Sequence, residues 1–508
     1  MLVGAVGLIG MGLRLREYVA DRSLWLDESF LALDLIRGGV PALLGHLDFN
    51  QGAAPGFLLV EKGIEVVDRS EAALRLPSLV FGLATVVLAW RVARRVCSPA
   101  AALIAYALVA FSPALVYYSS ELKQYAGDTA CGLTVTLVAL ELAARPNRRT
   151  AIAAAAIGVA AVSLSHAAIF VVAGQGAVLV AAALARQRLP SRTLAIVVGV
   201  WALAAGAVLA HTLSTSSGVL SSYRSSADLG SGTAGSGGRG AHALKALATT
   251  VLGDVGLPTG GRAFTLVTLV LSAVGVVGLV ALLRSRPLAT LIVTAPALAT
   301  LAANASDHYP VSGRTVLFLV PIASICIGEG AASVARVAQG AAPAVGVALA
   351  VFALAYPVHG AVELLRTPTK EETRPVLGAL ALEARPGDRF FVAYAAQYAI
   401  AYYQQCGCAR VPSWDVAPST GGHAQWSPAL LSTRQVIVEP YRGDDEPSYL
   451  AEVRSLPPGR IWLIVSHAAD AKEHAFLYDR LQRAFAARGT RLTVIREPGA
   501  LATLYALR

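Results

Sequence analysis

Long apolar runs separated by short polar turns fill the chain from its start to about residue 358. A helix crossing a hydrocarbon core of roughly 30 Å needs about 20 mostly apolar residues, and it satisfies every backbone N–H and C=O within its own segment. The pattern predicts a polytopic α-helical membrane protein with about eleven spans, near 1–18, 71–92, 100–118, 125–143, 151–165, 167–185, 193–213, 263–283, 287–304, 314–335 and 341–358. The first run, MLVGAVGLIGMGL, is apolar for only 13 residues. Either the span continues through LRLREYVA with Arg14 and Arg16 snorkelling to the interface, or the chain has lost its natural start. It does not read as a secretory signal, because its charges follow the apolar core.

The pattern changes near residue 366. TPTKEETRPVLGALALEARPGDRFFVAYAAQYAIAYYQ starts as a polar helix, passes a Pro-Gly-Asp turn and enters a buried strand followed by a helix. RIWLIVSH (460–467) is a second strand, KEHAFLYDRLQRAFAARG a helix ending at Gly489, and TRLTVIREPGALATLYAL two final strands. The expected organisation is a membrane domain over 1–360, with outer loops 19–70 and 214–262, and a small α/β domain over 361–508. Within the first loop, SFLALDLIRGGVPALLGHL has the spacing of an amphipathic helix on the membrane surface, and the Gly/Ser tract of the second reads as a linker.

Composition agrees: 55% of residues are hydrophobic and 15% charged, where soluble globular proteins carry about 25% charged residues. Charge then sets orientation. The turns RVARR (91–95), RPNRR (145–149), RQRLPSR (186–192), RSR (284–286) and Arg336 fall on one side and contain no acid, so that side is expected to be cytoplasmic. Residues 19–70, where acids outnumber bases, and the C-terminal domain fall outside. The net charge of +10 thus describes topology, and no basic and aromatic interleaving suggests nucleic acid. Cys97, Cys131 and Cys326 lie in or beside spans as small apolar residues; Cys406 and Cys408 form a C-x-C pair that lacks partners at zinc spacing and can oxidise outside the cell.

Polar groups gather where apolar runs meet the outer face. They are LWLDESF with Asp27 and Glu28, HLDFNQGAAPGFLL with His46 and Gln51, SSELKQYAGD with Glu121, Lys123, Tyr125 and Asp128, and DHYPVSGRTVLFLVP with Tyr309 and Arg314. Charges at midspan would point to a relay or ion path, whereas charges at the boundary face lipid headgroups. Each has a plainer reading as well. Asp27 and Glu28 suit the N-terminus of a helix, the 119–128 turn suits a solvated Glu–Lys pair, and Arg314 suits a snorkelling helix end; His166 and His211 read as packing residues.

The order WLDE (25–28), FNQGAAPGFLL (49–59), ALRLPSLVFG (73–82), YYSSELKQYAGD (117–128) and YPVSGRTVLFLVP (309–321) resembles the bacterial family 39 glycosyltransferases. These are polytopic enzymes of the GT-C fold, similar to protein O-mannosyltransferases and to the aminoarabinose transferase of lipid A. Five short motifs in register over roughly residues 20–335 carry the resemblance. It departs at Ala54-Pro55, where many relatives have consecutive prolines.

The resemblance implies transfer of a sugar, with inversion, from a polyprenyl-phosphate monosaccharide to a lipid, glycan or protein acceptor hydroxyl outside the bacterial cytoplasmic membrane. In that family an acid of the first outer loop is the base, a position that Asp27 occupies with Glu28 next to it as an orienting or metal-facing neighbour. A hydroxyl must lose its proton as the new bond forms, and a carboxylate doing this contributes typically about 10²- to 10⁴-fold. The leaving phosphate needs a cation, for which Arg314 and Lys123 are the outer-face choices. Glu121, Tyr125, Asp128, Tyr309, His46 and Gln51 complete the expected substrate-binding set. A divalent ion held by Asp27, Glu28 and a third carboxylate is left open. The competing class is a lipid or solute transporter or flippase, which usually shows internal repeats and a midplane polar site.

Overall fold

A computed structural model of the chain describes residues 1–185, 191–215, 261–306, 309, 311, 313–337, 342–366, 370–412, 414, 416, 431, 436–438, 446–468 and 471–508. The outer loop 214–262, from 216 to 260, and most of the basic turn 186–192 lie outside the described residues. The chain divides into two compact units, residues 1–20, 52–60 and 75–366, and residues 21–51, 61–74 and 367–508.

The first unit is helical. Eight of its described helices are long and apolar enough to cross a membrane: Glu71–Val96, Tyr125–Ala144, Ala167–Leu184, Arg192–Thr215, Leu266–Ser285, Pro287–Ala305, Gly313–Arg336 and Pro343–Arg366. A ninth is the pair Pro99–Phe111 and Pro113–Ser120, bent by 52°. Two expected spans fall short by the same measure. Leu2–Val19 carries Arg14, Arg16 and Glu17, and Arg148–Leu164 has 17 residues. Arg14 does not snorkel, being fully buried, whereas Arg16 reaches the carbonyls of Leu364 and Leu365 at the end of another helix.

With lipid no drier a partner than leucine, helices associate through close packing of small residues. A Cβ on Gly278 would sit 1.9 Å from the Cys326 carbonyl, and one on Gly330 would sit 1.9 Å from that of Val274. Glycine at both positions is what lets Gly261–Ser285 and Val320–Val337 touch backbone to backbone. Many outward side chains, such as Leu203, Leu266 and Leu298, are large, apolar and exposed, as a lipid-facing surface requires.

The Pro55–Val67 helix is amphipathic in reverse. Phe57, Leu58, Glu61 and Glu65 form its buried arc, while Leu59, Val60, Val66 and Val67 on the opposite arc are between 41% and 85% exposed. Apolar outside and acidic inside is an arrangement suited to lipid. In the segment expected to lie on the membrane surface, nine of the twelve residues of Leu26–Arg37 are buried, while residues 39–42 are exposed.

In the second unit, Leu26–Arg37 packs on Ala396–Cys406, with Phe30 and Phe49 stacked at 5.2 Å and Tyr398 edge-on to both. The unit is built on a five-stranded mixed sheet of β1 (Arg389–Val392), β2 (Val436–Val438), β3 (Gly459–Ser466), β4 (Gly489–Glu497) and β5 (Ala500–Leu507). Their order is β2-β1-β3-β5-β4, with β1 parallel to β2 and β3, and β5 antiparallel to β3 and β4. Phe391, Ile461, Leu463, Val465, Phe485 and Tyr505 fill the core on one face of the sheet. The four expected strands form; β2 and the helix Glu446–Ser455 were not anticipated. Cys406 and Cys408 are joined in a disulfide, with Gly407 between them at φ +66°.

Glu61 generates a prediction. Among the described residues neither of its carboxylate oxygens has a hydrogen-bond partner, and burial holds the carboxyl well above its usual 4.5. The folded protein therefore keeps a proton that the unfolded chain releases, and stability falls as pH rises from 4.5 towards the folded value. Glu61→Gln mimics the protonated form. Its thermal midpoint in detergent should exceed the wild type's at neutral pH, and the gap should close as pH is lowered towards 4.5.

Candidate functional site

Six expected residues belong to the first unit. The chain breaks at Ser112-Pro113, continues as the short helix Pro113–Tyr117 and a tight turn at Tyr118–Ser120, and passes through Glu121 into Tyr125–Ala144. Glu121 is extended, so the chain doubles back and the Lys123 amide donates to the Glu121 carbonyl at 2.8 Å. Two neighbours pin this turn. Ser78 Oγ donates to the Lys123 carbonyl at 3.1 Å, and Gln124 Nε2 to that of Gly52 at 3.3 Å. Gly82 permits the fit, because a Cβ there would lie 2.4 Å from that of Ser119. Glu121 and Lys123 are consequently buried, at 1% and 6% exposure, in a largely apolar bundle.

Arg314 comes to this turn from far along the chain. It stands in the Gly313–Leu319 3₁₀ segment, half-buried, with its guanidinium carbon 5.4 Å from the Tyr125 ring centroid. At that distance the cation is attracted to the ring face, an interaction worth about 0.5–2 kcal/mol. Tyr118 meets the same ring edge-on at 5.3 Å. Tyr309 holds the approach to Arg314: its hydroxyl donates to the Thr315 carbonyl at 2.7 Å, and its ring packs edge-on to Phe170 at 4.6 Å. Asp128 turns into the bundle, where Ser165 Oγ donates to it at 2.6 Å. The structure thus gathers Glu121, Lys123, Tyr125 and Arg314, supported by Tyr309, with Asp128 tied to a neighbouring helix.

The other four expected residues belong to the second unit. Asp27 and Glu28 open Leu26–Arg37, whose helix dipole favours negative charge there. Glu28 is buried and one of its oxygens accepts from the Trp25 amide at 3.3 Å, the reach-back of a capping residue. Asp27 is half-buried. His46 and Gln51 stand elsewhere. Their segment is fixed to later turns of the helix through Phe49 on Phe30 and the Asp48 amide donating to Asp34 at 3.1 Å, and the Gln51 amide is engaged with the Phe49 carbonyl at 3.2 Å.

Residues that sequence reasoning missed surround the Asp27 turn. Buried Glu371 accepts from the Leu26 amide at 3.1 Å and lies 2.5 Å from Nδ1 of His467. His467 follows β3 at φ +63°, a left-handed conformation that costs a non-glycine residue about 1 kcal/mol or more. Burial works to lower its pKa, but the Glu371 carboxylate, with Glu473 and Asp27 behind it, prevails and holds the imidazole above its ordinary value. Lys370 Nζ sits 3.7 Å over the Trp25 ring. Glu71 anchors the preceding strand of chain: it accepts from the Leu24 amide at 2.9 Å and from the Tyr403 hydroxyl, and it pairs with Arg374. Among the described residues no three His, Cys, Asp or Glu side chains are gathered so as to hold a metal ion. This concerns Asp27 and Glu28 directly, since no third carboxylate among the described residues joins them in ligand geometry.

A family profile described as dolichyl-phosphate-mannose-protein mannosyltransferase matches residues 55–211. Comparison with curated protein sequences gives no match. Among solved structures, ArnT from Cupriavidus metallidurans bound to undecaprenyl phosphate aligns with a TM-score of 0.53 at 15% identity, covering 99% of this chain and 97% of that one. The archaeal oligosaccharyltransferase AglB from Archaeoglobus fulgidus, in complex with an inhibitory peptide and a dolichol-phosphate, aligns with a TM-score of 0.54 at 11% identity, covering 99% and 73%. The chain has the GT-C fold of these proteins.

The Glu371–His467 pair has a measurable consequence. A histidine raised by its partner contributes stability that is present below the unfolded value of 6.5 and lost as pH rises through the folded value. The thermal midpoint of the wild type should therefore fall as pH is raised from 6.5, and Glu371→Gln should flatten that dependence. Equal slopes for the two proteins would refute the pairing.

Proposed function

We propose that this protein is a membrane glycosyltransferase of the family 39 type, moving a sugar from a polyprenyl-phosphate carrier to an acceptor hydroxyl outside the bacterial cytoplasmic membrane. The observation that carries this reading is a turn with buried Glu121 and Lys123 that Arg314 reaches through its contact with the Tyr125 ring. Two cations there suit a lipid-linked phosphate, which gathers charge as its bond to the anomeric carbon breaks. Undecaprenyl phosphate and dolichol-phosphate are the lipids seen with two proteins of the same fold. The basic turns on one side support placing the site on the other. On this reading Leu2–Val19 and Arg148–Leu164 also cross, making eleven spans.

Each side chain then has a role. Lys123 and Arg314 hold the donor phosphate, Arg314 as a planar fork and Lys123 as a point charge. Asp27 takes the acceptor proton as the hydroxyl oxygen attacks the anomeric carbon from the face opposite the phosphate. The phosphate leaves as an anion and the configuration inverts. Glu28 keeps the Asp27 turn in shape through its bond to the Trp25 amide. Tyr125 backs the Arg314 guanidinium.

The two roles separate kinetically. Asp27→Asn should lower the transfer rate by about 10²-fold or more while undecaprenyl phosphate still binds. An Asp27→Asn enzyme of normal rate would remove it as the base. Arg314→Ala should weaken undecaprenyl phosphate binding by roughly 10-fold or more, the loss of a charge-assisted hydrogen bond of about 1.5–3 kcal/mol. Unchanged affinity would return Arg314 to a membrane anchor.

A further inference from the structure

Arg14 is a cation inside the apolar helix Leu2–Val19, and none of it is exposed. Charge in such a place is expensive and commonly functional. Its guanidinium donates to three carbonyls: Nη1 to Gly10 at 2.8 Å and to Ala110 at 2.9 Å, and Nη2 to Val109 at 3.3 Å. Gly10 is one turn back on its own helix. The other two acceptors lie on Pro99–Phe111, at the break in the bent span.

Those two carbonyls are the ones the break leaves over. In a continuous helix Val109 would accept from the amide of residue 113 and Ala110 from that of residue 114. Residue 113 is proline and has no N–H, while Ser112, at φ −56° and ψ 116°, takes the chain out of the helix before residue 114. Water would satisfy such carbonyls on a soluble protein; among lipid-embedded helices a side chain must do so. Arginine suits the task because its planar fork reaches two successive carbonyls at once. The fit between the helices is made for this contact. A Cβ on Gly7 would lie 2.6 Å from the Tyr106 hydroxyl, and one on Gly10 would lie 2.9 Å from the Ala110 Cβ. Beyond the break, Ser112 Oγ accepts from the Leu115 amide at 3.4 Å, and the chain runs on at 52° into the Glu121–Lys123 turn.

We propose that Arg14 is a positioning residue for the donor-phosphate site: standing in for two missing backbone N–H groups, it fixes the bend that sets Glu121 and Lys123 beside Tyr125 and Arg314. The proposal rests on the donor-site reading of that turn. It assigns Arg14 no contact with substrate.

The test uses the full-length protein in mild detergent and undecaprenyl phosphate as the probe. Arg14→Gln and Arg14→Lys should bind it roughly 10-fold more weakly, with the lysine variant nearer the wild type because it keeps the charge and part of the donor set. Arg336→Gln, which breaks the pair with Glu329 in another part of the unit, is the control. It should lower the thermal midpoint without changing probe affinity, separating lost stability from lost positioning. Pro113→Ala restores an N–H for Val109. In that background Arg14→Gln should cost less stability than in the wild type, and Pro113→Ala should rescue folding if Arg14→Gln alone fails to fold. Folded Arg14 variants with wild-type affinity would overturn the proposal, as would a double-mutant cycle without coupling. A wild type that does not bind the probe would instead overturn the donor-site reading, and the cycle with Pro113 would still report on the clamp.

Discussion

A polar group among lipid-facing helices has to find its partner in the protein, and this requirement shapes the first unit more than any single contact. It explains why the break at Pro113 is accompanied by a buried arginine on another helix, with its guanidinium on Val109 and Ala110. It explains why Ser165 donates to Asp128 and Gln175 to the Thr136 hydroxyl. The same requirement makes the turn at 118–124 informative. A buried lysine and glutamate there carry a desolvation cost of several kcal/mol, and pinning by Ser78 and Gln124 keeps them in one place. Fixed charge in a site poor in water is what stabilises a developing anion.

The second unit meets its own constraint differently. The start of the Leu26–Arg37 helix is held by carboxylates from two other parts of the chain, Glu371 on the Leu26 amide and Glu71 on that of Leu24. Tyr403 and Arg374 close the network around Glu71. Asp27 thus stands on backbone whose geometry is set by several hydrogen bonds. The role proposed for Asp27 would need that fixity, since a displacement of about 1 Å can cost roughly 10²-fold in rate.

Much of this was legible in the residues. Apolar run length located most of the helices, because a run of about 20 apolar residues crosses lipid as a helix, and the short, continuous apolar run of RIWLIVSH located β3. Counting crossings was harder: Arg14, Arg16 and Glu17 make Leu2–Val19 ambiguous by composition, and the carbonyls that Arg14 and Arg16 reach on other helices lie beyond any local window. Periodicity alone did not separate a surface helix from a buried one. Leu26–Arg37 has apolar residues at the right spacing, but Ala396–Cys406 covers it, while Glu61 and Glu65 disguised the helix whose outer face is apolar. Tyr125 and Arg314 were both expected at the site, and only the fold shows that they touch. Glu371 and His467 were missed because a carboxylate some 340 residues from Asp27 leaves no local signal.

The central claim is that a polyprenyl-phosphate sugar is the donor and that Asp27 is needed to consume it. Mass spectrometry of the lipids that copurify with the wild type and with Asp27→Asn in mild detergent tests both parts together. The account predicts a polyprenyl-phosphate sugar in the preparations, enriched in Asp27→Asn because bound donor is not turned over. Bulk phospholipid alone in both proteins would contradict it.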